Sequence, residues 1–399
     1  MIHRTLKGAL VPVAALGAAV LIAACGGGGG SSTSSATSSP TTAAPTTSAA
    51  PTTSAAPSGV EEAKKRYDAA LAPITFSYPG EAFAAGPAAK GKKVANISVD
   101  DRIPILAQWG DTIQAGFEKY GVGVTRSSAD FNIEAIPKLF QQAVSEGVDL
   151  IVTNAIPGVL VPVAEVGDIP VMTTNQTAKP GVAPAEGIIT DVSFDYTIPA
   201  KLMADWYIVK SNGGANGEAL VWASEGQASS PVMADTIKAE IAELCPDCVV
   251  EYADAQLSTW QDGTLASETK NKLTANPNLK FVLPIYDGMT IAGTDPGISD
   301  AGSDATQASF NATPVVMQGL GTTSVKMDVG CPNDWFSYAV VDASIRIFAG
   351  APLIDNYGIT CRVFDEANIG EIDPSVENSV NWYGIDFLAE FEGFWGAPA

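Results

Sequence analysis

From Lys92 to Phe348, short apolar runs and amphipathic stretches take turns, and that rhythm leaves few folds open to the chain. Val94–Val99, Val122–Ser127, Val148–Asn154 and Ile169–Thr174 read as strands. Between them Ile105–Tyr120 and Ile133–Glu146 carry helical spacing, with Pro137 near the first turn of the second, where a missing N–H does little harm. Val159–Val166 reads as a short helix. After Ile188–Thr190 the rhythm restarts. Tyr196–Val209, Val232–Leu244 and Leu265–Ala275 read as helices, and Ala219–Ala223, Val249–Ala253 and Phe281–Ile285 as strands. Val315–Met317 and Val325–Val329 are expected as further strands, and Trp335–Phe348 as a helix. Such alternation predicts an α/β chain of parallel sheets covered by helices. Roughly 300 residues exceed the usual size of one core, so two similar lobes with a ligand cleft between them are expected.

One junction points to a site. Phe281–Ile285 runs into Tyr286-Asp287-Gly288, and in an open parallel sheet ligands bind beyond the carboxyl ends of the strands. Tyr286 and Asp287 would therefore face a pocket. Pro284 counts against a central strand because it cannot donate to the ladder. Asp-Gly is a common turn pair, and Asp287 could instead cap the next helix.

The first residues read as an address. Arg4 and Lys7 precede the apolar run Leu10–Leu21, which is too short to span a bilayer. It ends in Leu21-Ile22-Ala23-Ala24-Cys25, which resembles a bacterial lipobox, cut before a Cys whose thiol takes a diacylglycerol. An ordinary secretory signal would also export the chain. Gly26–Gly30 and the Ser/Thr/Ala/Pro tract to about Ser58 hold almost nothing that can pack, and read as a disordered tether spanning roughly 30 Å. The expected divisions are 1–24 signal, 25–58 lipidated Cys and tether, 59–91 an N-terminal helix and extended segment, then two lobes. Val60–Leu71 is read as that helix, while Pro73, Pro79 and Pro87 keep Ala72–Ala89 irregular. Tyr383–Trp395 reads as an aromatic tail packed on a lobe.

Removing the signal takes two basic and no acidic residues, leaving 20 basic and 44 acidic, net −24. An acidic body argues against nucleic acid and against polybasic membrane docking. The only histidine, His3, leaves with the signal, so a Ser-His-Asp triad, a Cys-His pair and a His-metal site are excluded. No cofactor, metal site or catalytic residue is expected, and the chain is read as a non-enzyme. Paired carboxylates could still hydrolyse glycosides. Beyond Cys25, Cys245, Cys248, Cys331 and Cys361 form an even set in an oxidising compartment and allow three pairings, of which Cys245–Cys248 with Cys331–Cys361 is expected. Cys245-Pro246-Asp247-Cys248 closes a helix rather than opening one, which favours a structural staple over a redox motif.

Several stretches fall in a familiar order: Gly91–Ser98, Glu146–Asn154 with its Gly-x-Asp-x-Ile-x-x-x-Asn form, Asp168-Ile169-Pro170-Val171, Tyr286-Asp287-Gly288-Met289, and Arg346–Gly350 at a helix end. Together, over Lys92 to Arg362, the chain resembles the type I periplasmic binding proteins, the ribose-binding-like group that feeds ABC importers. The resemblance implies two doubly wound parallel-sheet lobes, 92–190 plus 333–355 and 192–330 plus 362–399, joined by a three-segment hinge near Thr190–Val192, Gly330–Asn333 and Asn356–Arg362. Cys331 and Cys361 would then tie two hinge segments together. It implies a small-molecule ligand, an ABC transporter permease as partner, a monomer, and a lipid anchor on the outer face of the bacterial cell membrane. A ligand-sensing subunit for a membrane receptor would use the same cleft.

The pocket positions carry over one at a time. Arg102, Ile103 and Ile105 occupy the first loop, with Trp109 a turn later as a substitute for stacking aromatics. Asn175 and Gln176 stand where sugar binders often have Asp-Arg, and Trp260 where an aromatic packs on the ligand. Tyr286 replaces an Asn, and Asp287 follows it. Leu320 falls where an Asp usually accepts from hydroxyls, and near Ser230-Pro231 the expected Arg is missing. Sugar hydroxyls need charged and bidentate partners, so the ligand expected is sugar-like or a less polar compound.

Overall fold

The computed structural model describes residues 58–376 and 378–396. The signal, Cys25 and the tether lie outside the described residues. Within this unit the apolar runs become eleven strands in two sheets. β1 (Lys93–Ser98), β2 (Gly123–Ser128), β3 (Leu150–Asn154), β4 (Val171–Thr174) and β5 (Thr190–Val192) form the first, in the order β2-β1-β3-β4-β5 and wholly parallel. β6 (Glu218–Glu225), β7 (Val250–Gln256), β8 (Leu279–Pro284), β9 (Thr306–Phe310), β10 (Val325–Gly330) and β11 (Arg362–Asp365) form the second, ordered β11-β10-β9-β8-β6-β7. Only β11 is antiparallel. Central strands such as β3 are buried along their whole length, as parallel strands covered on both faces must be.

Pro284 sits in a central strand after all. It is the last residue of β8, and Ile285 resumes the ladder by donating to Trp222 O at 3.1 Å. Two readings are corrected. Val315–Met317 lies in a helix, Pro314–Gly319, because Pro314 falls at its first position and starts it. The strand is Thr306–Phe310, whose Gln307 and Ser309 are fully buried polar residues that break the apolar run. Val159–Val166 forms two single turns, Gly158–Leu160 and Val163–Glu165, not one helix.

Between β5 and β11 the chain crosses from one lobe to the other three times. The first crossing follows Val192 rather than occupying Thr190–Val192, since those residues pair with β4. The second joins β10 to the helix Asn333–Ala349, which packs on Pro104–Lys119 of the first lobe. The third returns from that helix to β11. Cys331 on the second is bonded to Cys361 on the third, with Cα atoms 4.1 Å apart, and Cys245 is bonded to Cys248.

Both termini reach across this frame. Helix Gly59–Ala70, closed at its start by a Ser58–Glu61 capping box, packs on the second lobe. There Arg66 pairs with Asp205 at 2.6 Å and with Glu240, and the Tyr67 hydroxyl donates to Asp365 at 2.5 Å. The following segment lies on the first lobe, where Tyr78 stacks on Phe394 at 3.8 Å and Phe76 packs on Trp335 at 5.0 Å. Phe387–Trp395 therefore belongs with Asn333–Ala349, not with the second lobe as expected for 362–399. Its indole at Trp395 donates to Asp342 at 2.7 Å.

Candidate functional site

The carboxyl ends of both parallel sheets open onto one cleft of about 840 Å³. From the first lobe come Val99, Ile103, Ile105, Phe131, Ile133 and Leu160; from the second come Ser229, Leu257, Trp260, Tyr286, Ile291 and Val315. Among the described lining residues, none carries a charge. The backbone at the rim is unusual. Phe131, Ala155 and Asn175, each just past a strand of the first sheet, have φ of 57°, and Asn311 past β9 has φ of 130°. Left-handed non-glycine residues are uncommon and collect at binding sites.

Of the residues expected at the site, Ile103, Ile105, Trp109, Asn175, Gln176, Trp260 and Tyr286 line the cleft. Trp109 is largely core, packed on Phe336 at 4.7 Å, with its N–H donated to Asn333 at 2.9 Å. Asn175 is buried; its Oδ1 accepts from Phe194 N–H at 3.0 Å, and its Nδ2 has no partner. The Trp260 N–H is likewise buried without a partner. A Cβ on Gly288 would sit 2.9 Å from the Trp260 ring, so glycine there lets the indole lie over the turn after β8. The Tyr286 and Ser229 hydroxyls are 2.7 Å apart. Burial keeps the Tyr286 and Tyr196 phenols well above their ordinary range, so both stay protonated.

Four expected residues do not line the cleft. Arg102 turns back on Asp100, two residues before it, in an ion pair at 2.5 Å, and its side chain is 70% exposed. Ser230 accepts from Ser224 N–H at 2.8 Å, tying the start of its helix to the end of β6. Leu320 is buried, at the end of helix Pro314–Gly319. Asp287 points under the floor. It accepts from Ser309 Oγ at 2.5 Å and from Thr313 N–H and Oγ at 2.7 and 2.8 Å.

Asp328 lies against Asp287 there, its Oδ1 accepting from Ala312 N–H at 3.3 Å. Burial raises both carboxyls. The Asp287 charge pushes Asp328 further, well above the carboxylate range, while donated bonds hold Asp287 at about 6. At neutral pH Asp328 keeps the proton and Asp287 the charge. The folded chain thus binds protons that the unfolded chain releases above about pH 4. Stability from this pair is full below that pH and falls as pH rises through the folded values. Asp328→Asn keeps the shape, donates to Asp287 without titrating, and is expected to match the parent near pH 4.5 and unfold a few degrees higher near pH 8, read by calorimetry across pH. A variant less stable than the parent at pH 8 would rule out the shared proton.

Phe131, Ile133, Leu160, Ser229, Leu257, Ile291 and Val315 were not foreseen. The strand-end rule that picked Tyr286 also points to the loop after β2, where Phe131 and Ile133 lie. No group of three metal-ligating side chains and no helix long and apolar enough to cross a membrane occur among the described residues.

No protein-family model matches the chain, and no curated protein matches it significantly. Solved structures do. A Caulobacter myo-inositol binding protein bound to myo-inositol matches with a TM-score of 0.60 at 16% identity, over 71% of this chain and 96% of that one. An ABC transporter solute binding protein from Agrobacterium vitis with bound allitol matches with a TM-score of 0.62 at 15% identity, over 71% and 98%. One from Mycobacterium smegmatis with bound glycerol gives 0.61 at 14%, over 72% and 98%. At such identities the likeness is one of architecture: this chain has the two-lobed fold of the type I periplasmic binding proteins.

Proposed function

We propose that the chain is the solute-binding component of an ABC importer, held at the outer face of the cell membrane by a lipidated Cys25 and delivering a small molecule to its permease. The observation that carries this reading is the cleft of about 840 Å³ between the carboxyl ends of two sheets joined by three crossings. The solved structures of the same fold, named as binding proteins of transporters, support it. The mechanism needs no bond-breaking step. Open lobes sample closure, a ligand touching both lobes stabilises the closed form, and the permease distinguishes that form. Cys331–Cys361 ties two of the crossings, so the lobes turn about a linked pair of segments.

A broad thermal-unfolding screen of the full chain carrying Cys25→Ser tests capture. A ligand that binds only the folded state adds about 2.7 kcal/mol at a hundredfold excess over its dissociation constant, a shift of several degrees. A screen of sugars, polyols, nucleosides, aromatic acids and terpenoids that moves the midpoint nowhere would contradict capture. Intact mass of the exported wild-type chain tests the anchor separately: it should begin at Cys25 and carry a diacylglyceryl group. An unmodified Cys25 would remove the anchor and leave capture standing.

A further inference from the structure

We propose that the cleft takes an uncharged molecule with a ring-sized hydrocarbon body and oxygen acceptors that meet one N–H donor from each lobe, Asn175 Nδ2 and Trp260 Nε1. This rests on the solute-capture reading and narrows its ligand class. Three observations carry it.

The first is the missing charge. No charged side chain lines the cleft among the described residues. Several carboxylates near the cleft are already engaged, Asp130 by Ser128 and Asp195 by Thr197 among them. Asp287 is held by Ser309 and Thr313, Asp191 by Thr173, Thr177 and the Gln176 N–H, and Asp100 by Arg102. An ionised ligand would be buried without a counter-charge, which is costly. A polyol fares little better. Each buried hydroxyl needs an acceptor, and the lining offers no carboxylate, only neutral amides and hydroxyls such as Gln108, Gln227 and Asn311, while Asn175 Oδ1 already accepts from Phe194 N–H.

The second is the wall. Ile103, Ile105, Phe131 and Leu160 line the cleft from the first lobe, and Leu257 and Ile291 from the second. Ile291 is 46% exposed and Phe131 39%, apolar surface that a hydrocarbon body would cover. The volume lies within the range of about 300–1,000 Å³ that holds drug-sized ligands, larger than a single sugar ring needs.

The third is the pair of donors. Asn175 is only 6% exposed, its Oδ1 is engaged, and its Nδ2 is unpartnered. The Trp260 Nε1 is buried and unpartnered too. They stand after β4 of the first lobe and after β7 of the second. Buried donors in native proteins nearly always find an acceptor; both residues line the cleft, and a bound carbonyl, ether or hydroxyl oxygen would supply it once a small side-chain shift uncovers the two N–H groups. Because the donors belong to different lobes, such a ligand would favour the closed form.

The test uses the full chain with Cys25→Ser, free of detergent, and five probes. Progesterone and camphor are uncharged ring ketones; cholate carries a ring body with a carboxylate; myo-inositol and allitol are polyols. The ketones are expected to raise the unfolding midpoint and to change tryptophan fluorescence saturably. Cholate should bind about tenfold or more weaker, and the polyols should do nothing. Trp260→Phe and Asn175→Asp each remove one donor and are expected to weaken ketone binding about three- to tenfold, with the unliganded circular dichroism unchanged. A second pair, Trp260→His and Asn175→Gln, retains a donor and should recover part of the loss.

A shift with the polyols and none with the ketones would overturn the proposal and leave solute capture intact. Ketone binding that ignores both donor-removing variants would also overturn it. Silence to all five probes, with a response to another class in the broad screen, overturns the ligand class alone. Silence in both overturns solute capture as well.

Discussion

Replacing Asp342 by alanine is expected to cost the fold about 3–5 kcal/mol, the range for a buried ion pair that loses one partner. Asp342 is fully buried in helix Asn333–Ala349 and serves four chain segments at once. Its Oδ1 accepts from the Tyr78 hydroxyl and the Trp395 indole, both at 2.7 Å. Its Oδ2 accepts from Arg346 Nε at 2.7 Å and from the Tyr357 hydroxyl at 2.8 Å. Tyr78 belongs to the N-terminal segment, Tyr357 to the third crossing and Trp395 to the C-terminal helix. Without the carboxylate, Arg346, only 3% exposed, is a buried cation with no counter-charge. Its remaining bonds, to the Tyr78 hydroxyl at 2.6 Å, Pro352 O at 3.0 Å and the backbone Glu81 O at 3.3 Å, are to neutral groups. Trp395→Phe removes one donor and should cost only about 1 kcal/mol. Urea unfolding of the two variants checks the contrast; a loss below about 1 kcal/mol for Asp342→Ala would mean the cluster is not what holds the termini down.

The second large effect belongs to the hinge disulfide. Cys331 and Cys361 are 30 residues apart in sequence, and Cys245 and Cys248 are 3 apart. Chain-entropy reasoning ranks the two bridges: about 3–4 kcal/mol for the longer loop and about 2 kcal/mol for the shorter. Replacing Cys331 and Cys361 together by serine should therefore lower the urea midpoint clearly more than replacing Cys245 and Cys248. The hinge pair should also broaden the distribution of distances between the lobes, because the bridge joins two of three crossings. Equal losses from both pairs, with unchanged inter-lobe distances, would show that the hinge bridge neither shortens an unfolded loop nor steadies the crossings.

Much of this architecture is legible in the sequence, for a physical reason. Parallel strands covered on both faces are mostly apolar, so β1, β3, β6, β8 and β10 announce themselves despite single polar residues such as Asn96 and Asp328. β9 does not. Its Gln307 and Ser309 are buried because their partners, Thr294 and Asp295 for Gln307 and Asp287 for Ser309, are tertiary neighbours no local pattern shows. β11 is short and contains Arg362, whose charge is met by Glu371 and by carbonyls of Leu71 and Trp382. Among site residues, those just past a buried strand can be placed by the strand-end rule, as Tyr286 is; Asn175 stands one step past β4, where the rule also points, although the resemblance is what singled it out. Arg102, Asp287 and Ser230 could not, since each is turned away by a hydrogen-bond partner near it in space. The apolar wall from Phe131, Leu160 and Ile291 depends on loop geometry that periodicity does not encode.

The most direct test of the central claim is the distance between the lips of the cleft. Glu134 and Ser258 are exposed, one near the rim of each lobe. Spin labels at Glu134→Cys and Ser258→Cys would report that distance by pulsed electron resonance, with and without the compound that shifts the unfolding midpoint most. The account predicts a population that moves to a distance shorter by several ångströms when that compound is present, in proportion to occupancy. Saturating ligand with an unchanged distribution would contradict it, because the cleft would then be a fixed pocket and not two lobes closing on what they carry.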